Sequence, residues 1–251
     1  MKKGAMILLC VVLAGPVYAG GMVNNIFFLP TCETTGSGIF LFDVGHRYFD
    51  PVKHTTNVNI TFGYGITDWI DVYAARSFKN MDSVGMIKLT FLNDMNPNGA
   101  PVSVGLLAGG GYKEDSQDVL ASSDQPSGFA QIIIQEHLFK NRVSLGLVPT
   151  YAWNTNFYNF KARYDQSAGV GGFVEFYFMD RFSVDGEIIA NLYGFGFKYM
   201  AYNVGLKYAG YRHTFSLWVG NCAGYSPVEY IAGSEESSLK VGGAFTREFD
   251  L

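Results

Sequence analysis

Three segments of the chain repeat one pattern: Ile66-Thr67-Asp68-Trp69-Ile70-Asp71-Val72, Phe139-Lys140-Asn141-Arg142-Val143-Ser144-Leu145 and Phe178-Met179-Asp180-Arg181-Phe182-Ser183-Val184. Each has an apolar residue, a short polar turn with Asp or Asn, a bulky Trp or Arg, and then an apolar-polar-apolar start to a strand. Looser copies stand at Pro101-Val102-Ser103-Val104 and at His213-Thr214-Phe215-Ser216-Leu217. Asp and Asn tolerate the backbone of a tight connection, and the period of two that follows begins a strand. Similar tight turns alternating with longer, dissimilar connections predict a repeated antiparallel hairpin. A chain built that way closes into a sandwich or a barrel.

Between those turns the spacing predicts twelve strands, near residues 37–48, 56–66, 69–78, 83–93, 102–112, 128–138, 142–154, 167–178, 181–193, 200–209, 213–221 and 238–249, with ten as the alternative if an end pair is misread. Most are long enough to cross a bilayer at a tilt, for which about 9 to 11 residues are needed. Alternation is cleanest in the second, where Val58, Ile60, Phe62, Tyr64 and Ile66 oppose Asn57, Asn59, Thr61, Gly63 and Gly65. In the ninth, Phe182, Val184, Ile188 and Leu192 oppose Ser183, Asp185, Glu187 and Asn191, and the tenth sets Tyr202, Val204, Leu206 and Tyr208 against Asn203, Gly205 and Lys207. The sixth is ambiguous because Ile132, Ile133 and Ile134 are consecutive. Exposing Gln131, Gln135 and His137 to lipid costs more than exposing Glu136 alone, so the first three are expected inside.

Three features favour a membrane barrel over a soluble sandwich. Aromatic residues gather at strand ends, with Tyr64, Phe178, Phe182, Tyr208 and Phe215 at the tight-turn end and Tyr48, Tyr151, Trp153 and Tyr202 at the other, as in two interfacial girdles. The connections are asymmetric: tight turns on one side, and on the other segments such as 113–126, 155–166 and 222–237. Short periplasmic turns, long extracellular loops and an even strand number put both ends of the barrel on the periplasmic side. Finally, the polar faces carry Asp, Glu, Lys and Asn, which a dry sandwich core would have to pair one by one.

The start of the chain agrees with export. Lys2 and Lys3, an apolar run from Ala5 to Ala14 and Val17-Tyr18-Ala19 before Gly20 read as a secretory signal peptide over 1–19. Residues 20–35 are then expected as an N-terminal periplasmic segment, and 36–251 as an outer-membrane barrel of a Gram-negative cell. No apolar stretch approaches the about 20 residues of a membrane helix. With 22 acidic against 18 basic residues there is no basic excess for nucleic acid. Beyond the leader only Cys32 and Cys222 remain, expected unpaired on opposite sides of the membrane. The last strand, with Lys240, Gly242, Phe245 and Phe249, partly matches the C-terminal signal read by the barrel assembly machinery. Arg247 stands where an aromatic residue is usual, and Asp250-Leu251 follows Phe249.

From Gly38 to Lys88 the ordered set His46-Arg47, Asn57, Tyr64-Gly65-Ile66-Thr67-Asp68-Trp69, Arg76-Ser77 and Lys88 resembles a family of uncharacterised bacterial outer-membrane β-barrel proteins, known mainly as a domain of unknown function. The resemblance implies fold and location and supplies no catalytic residues.

Candidate site residues follow from parity. Inward-facing charges include Asp71, Glu175, Asp185 and Glu187 against Lys88, Lys207 and Lys240, with Asp43, Arg47 and Arg181 besides. They nearly cancel. Counting back from a Phe178–Phe182 closing pair sets Glu175 opposite Asp185, so a cation is expected beside them: Lys207 first, with Lys88 or Lys240 reaching across the lumen. His46 and Arg76 share outward parity near the outer rim, and either contact a lipopolysaccharide phosphate or snorkel to the interface. The histidines are scattered, so no metal site and no cofactor are expected. Catalysis on the lipid face would need Ser, His and an orienting group together; His213 and Ser216 differ in parity, and an enzyme is not expected. The leading expectation is a narrow channel for small polar solutes with a mixed-charge lumen. The alternative is a closed structural or binding barrel whose outer loops meet a partner. Outer-membrane lipid is the expected surrounding, and nothing in the sequence sets an oligomeric state.

Overall fold

The computed structural model describes residues 25–50, 55–78, 82–95, 99–113, 125–155, 165–222 and 224–251; the expected signal peptide and the loop residues 114–124 and 156–164 lie outside them. Twelve strands form one antiparallel barrel: β1 (Ile39–Asp50), β2 (Thr55–Thr67), β3 (Ile70–Ser77), β4 (Asp82–Leu92), β5 (Ser103–Lys113), β6 (Gln125–Leu138), β7 (Val143–Trp153), β8 (Gln166–Met179), β9 (Phe182–Gly194), β10 (Ala201–Gly210), β11 (His213–Gly220) and β12 (Lys240–Asp250). Each pairs with its sequence neighbour, and β1 closes the ring on β12 through pairs such as Asp43 with Thr246. Closure leaves no unpaired edge, which a sheet in hydrocarbon requires.

The faces fall as the alternation predicts. Asn57, Asn59 and Thr61 are buried while Phe62, Tyr64 and Ile66 are exposed, and Gln131 and Gln135 point inward with Ile132, Ile134 and Glu136 outward. At the tight-turn end an aromatic row crosses four strands, with ring centroids 4.9 Å apart for Phe182 and Tyr208, 6.4 Å for Tyr208 and Phe215, and 4.9 Å for Phe215 and Phe245. Ile188, halfway along β9, is 47% exposed on the outer face. Ile188→Arg is therefore expected to destabilise the folded barrel by about 2–4 kcal/mol in lipid vesicles, read by urea unfolding; an unchanged midpoint would mean that this face does not meet lipid.

The turns are less uniform than their sequences. Phe139, Lys140 and Asn141 all have positive φ (52°, 59° and 64°), a run in the left-handed region that side chains other than Asn rarely adopt, whereas the Asp180 turn has none. That turn closes on Met179 opposite Phe182 after a register shift, and Phe178 meets Phe182 only ring to ring at 6.2 Å. Arg181 is exposed in the turn, not inward. The connection holding Pro101 spans 93–102 and is not tight.

The larger correction concerns the bore. The segment expected in the periplasm lies, from residue 25 on, inside the barrel: Ile26, Phe27, Phe28, Leu29 and Cys32 are at most 6% exposed. From the other end the connection after β11 folds inward, with the short helix α1 (Pro227–Tyr230) fully buried. Together with lumen-facing Phe129, Ile133, Val148, Phe173, Ile189 and Trp218 they form a hydrophobic core. Burial of that apolar surface is what draws both segments in. On β8, glycine makes room: a Cβ at Gly171 would sit 2.5 Å from a Leu29 methyl.

Candidate functional site

Inside the bore the expected charge cluster breaks up, and three of its members, Asp71, Lys88 and Glu187, hold the N-terminal segment. Glu175 on β8 stands directly opposite Asp185 on β9. Lys207 on β10 bridges them, its Nζ 2.9 Å from Glu175 Oε1 and 2.9 Å from Asp185 Oδ2, with the three side chains 10% exposed or less. Two carboxylates opposed at such depth repel strongly unless a cation lies between them. Neither Lys88 nor Lys240 takes part. Lys240 opens β12 opposite Gly220, whereas Lys207 is level with Ser216, which pairs with Ala244; four residues of strand, about 13 Å, separate the two lysines along the wall.

Glu187 seats the segment itself. Ile26 N donates to Leu29 O at 3.0 Å, a turn that aims three successive amides at one oxygen. Glu187 Oε2 accepts from the backbone N of Phe27, Phe28 and Leu29 at 3.4, 3.1 and 3.0 Å, and Oε1 accepts from Asn203 Nδ2 at 2.7 Å. Consecutive backbone N–H groups converging this way make an anion-binding concavity, here filled by a side chain of the barrel wall.

Further along the segment, Asp71 accepts from Thr35 N at 3.1 Å and from the Tyr73 hydroxyl at 2.8 Å. Lys88 lies opposite Asp71, 3.7 Å away, and donates to Glu33 O. His137 sits between carboxylates, its Nε2 2.9 Å from Glu33 Oε1 and its Nδ1 2.8 Å from Asp94 Oδ1. Burial alone would raise the Glu33 carboxyl, but the hydrogen bond and charge of His137 outweigh it and hold Glu33 below its ordinary range. Gln135 accepts from Cys32 N at 2.6 Å. Burial, then the charge of Glu33, pushes the Cys32 thiol up to about 12, so it stays protonated and inert at neutral pH. Cys32 and Cys222 are both buried and form no disulfide.

The outer loop is tied by the Tyr230 hydroxyl to Gln131 Nε2 at 2.8 Å, by Asn191 Nδ2 to Ile231 O at 3.1 Å, and by the Tyr225 hydroxyl to Thr61 Oγ1. Beside the two segments lies a cavity of about 100 Å³ along β11, β12 and β1 to β5. Its wall runs from Thr214 and Thr246 near the tight turns, past Asp43 and Asn59, to Tyr225 and Pro227 of the outer loop. Asn59 is 1% exposed, and neither its Nδ2 nor its Oδ1 has a hydrogen-bond partner, a state that costs about 1–3 kcal/mol per buried polar group.

At the outer rim, His46 and Arg76 both point outward, opposite Val58 and Ile60 on either side of β2, but they do not meet. His46 Nε2 is 2.5 Å from Thr56 Oγ1, and Arg76 Nη1 donates to Ser83 Oγ at 2.6 Å. Among the described residues no group of three or more His, Cys, Asp or Glu side chains is placed to hold a metal ion. The sequence reading missed the plug, although a signal was present: Phe129, Ile133, Val148, Phe173 and Ile189 face a lumen that water would not fill favourably.

A family model described as a membrane bound beta barrel domain (DUF5777) matches residues 23–247. No curated protein matches the chain. Among solved structures, the NanC porin is similar at 10% identity and a TM-score of 0.53, over 84% of this chain and 100% of that one. The KdgM porin is similar at 8% identity and 0.52, over 84% and 99%. At these identities the likeness is one of fold.

Proposed function

The chain belongs to the membrane-bound β-barrel domain family DUF5777, and on that premise we propose that it is a narrow channel of the bacterial outer membrane for small polar solutes, and not an enzyme. The observation that carries this reading is the cavity of about 100 Å³ beside the plug, walled by Asp43, Asn59, Thr61, Thr214 and Thr246. Its lining spans the barrel from the tight turns to the outer loop. Solutes pass along the side of the bore facing β12, β1 and β2, while the charges at Lys207, Glu187 and Lys88 hold the walls and plug rather than select the cargo. The porin-like architecture supports a conduit.

The second reading, a closed structural barrel, is favoured by the two segments that fill most of the lumen. Planar-bilayer recording of the purified full-length protein separates them. A channel of this bore gives small, discrete KCl conductance steps; a membrane that stays silent at high protein density would leave the closed barrel. For the outer rim we propose that His46 and Arg76 meet lipid headgroups, and that the C-terminal strand is what the barrel assembly machinery recognises.

A further inference from the structure

We propose that the cavity beside the N-terminal segment is a binding site for a small uncharged polyol of about glycerol's size, an inference that rests on the channel reading above and names the class of solute. Size sets the upper limit. About 100 Å³, below the about 150 Å³ of a dry cavity that takes benzene, suits a small, flexible molecule such as a three-carbon polyol better than a sugar ring.

The chemistry comes from Asn59. Two residues before it on the same face, Asn57 donates to Ser77 Oγ at 2.9 Å and accepts from it at 3.0 Å, while the Asn59 amide has a partner at neither end. It lies against Gly45, where a Cβ would come within 2.5 Å of its Oδ1, so glycine at 45 is what leaves the amide its place. An amide offers donors at one end and an acceptor at the other. An anion satisfies only the first and a cation only the second, whereas a hydroxyl satisfies both. Four other polar groups of this wall, Thr61, Thr214, Ser216 and Thr246, are themselves hydroxyls, which donate and accept equally; its two charges are already engaged, Asp43 accepting from Thr246 Oγ1 at 2.9 Å and Lys88 held by Asp71 and Glu33 O. On the same inward face of β11 as Thr214 and Ser216, Trp218 stands 5.2 Å from Phe27 and 6.1 Å from Phe28, ring centre to ring centre. That aromatic corner is a flat apolar surface for the carbon chain of a polyol whose hydroxyls turn to Asn59.

Trp218 is also the reporter. It is 5% exposed inside the bore, whereas Trp69 and Trp153 are 52% and 42% exposed on the outside. With the full-length protein labelled with 5-fluorotryptophan in detergent, and its resonances assigned through Trp69→Phe and Trp153→Phe, glycerol is expected to shift the Trp218 fluorine signal saturably and leave the other two in place. Asn59→Leu, folded as judged by its electrophoretic mobility, should weaken the response about tenfold, as the loss of the amide's hydrogen bonds implies. A Trp218 signal in the wild type that ignores glycerol, or a folded Asn59→Leu protein that responds like the wild type, would overturn the site. If Asn59→Leu does not fold, the wild-type titration decides alone. KCl conductance of the same preparation keeps the two claims apart: conductance without a Trp218 shift sinks the site and leaves the channel, and a saturable shift without conductance sinks the channel and leaves the site.

Discussion

Deleting residues 25–35 is expected to raise the single-channel conductance severalfold. The segment fills the bore with Phe27, Phe28 and Leu29, all at most 6% exposed, and its removal joins that volume to the polar cavity alongside. It also strips Glu187 of three backbone donors, Asp71 of Thr35 N and His137 of Glu33. These groups become free to meet water, so the widened lumen is wetter as well as larger. The barrel wall remains closed by strand pairing alone, and the shortened protein should still assemble. A milder version is Glu187→Ala, which removes the wall carboxylate to which three backbone amides of the segment donate. Each hydrogen bond to a charged group contributes about 1.5–3 kcal/mol, so the turn at 26–29 should detach. Cys32, buried and unreactive while the segment is seated, then becomes open to a maleimide, and mass spectrometry counts the labelled fraction. Conductance unchanged in the deletion would assign the constriction to the outer loop, where Tyr225 holds Thr61.

Lys207→Met is expected to destabilise the folded barrel by about 3–5 kcal/mol, the cost of leaving buried charges without their counter-ion. Glu175 and Asp185 are opposite each other across β8 and β9, and Lys207 reaches both at 2.9 Å. Met fills the same space without the charge. The reciprocal variant, Glu175→Gln with Asp185→Asn, strands Lys207 and should also lower stability. The triple variant, with no charge left in the group, should recover most of the loss, since a neutral set of similar volume carries no ion to desolvate. Urea unfolding in lipid vesicles reads all three. Equal stability of Lys207→Met and wild type would mean that water reaches the carboxylates and that the group belongs to a wet conduit.

The sequence reading held where the signal was local. Alternation in residues 57–66 and 182–192 set which side chains met lipid, and Asp68, Asn141 and Asp180 marked hairpin ends. The pairing of Glu175 with Asp185 followed by counting residues from the turn between them, even though the closing pair was one residue out. Lys207 followed as their cation because it faces the same way on the next strand.

It failed where contacts span the chain. Glu187 and Leu29 are 158 residues apart, Gln135 and Cys32 are 103 apart, and Thr61 and Tyr225 are 164 apart. The inward Asp, Glu and Lys pointed to a barrel lumen rather than a sandwich core, and the fold pairs several of them one by one beside the two segments that fill most of the bore. Period two and turn chemistry belong to each segment of this chain, because sterics and the lipid boundary act on every strand separately, and they determined strand number, facing and the closed barrel. What fills the barrel depends on apolar surface gathered from strands far apart in sequence and on the two segments that cover it, and only tertiary packing brings those together.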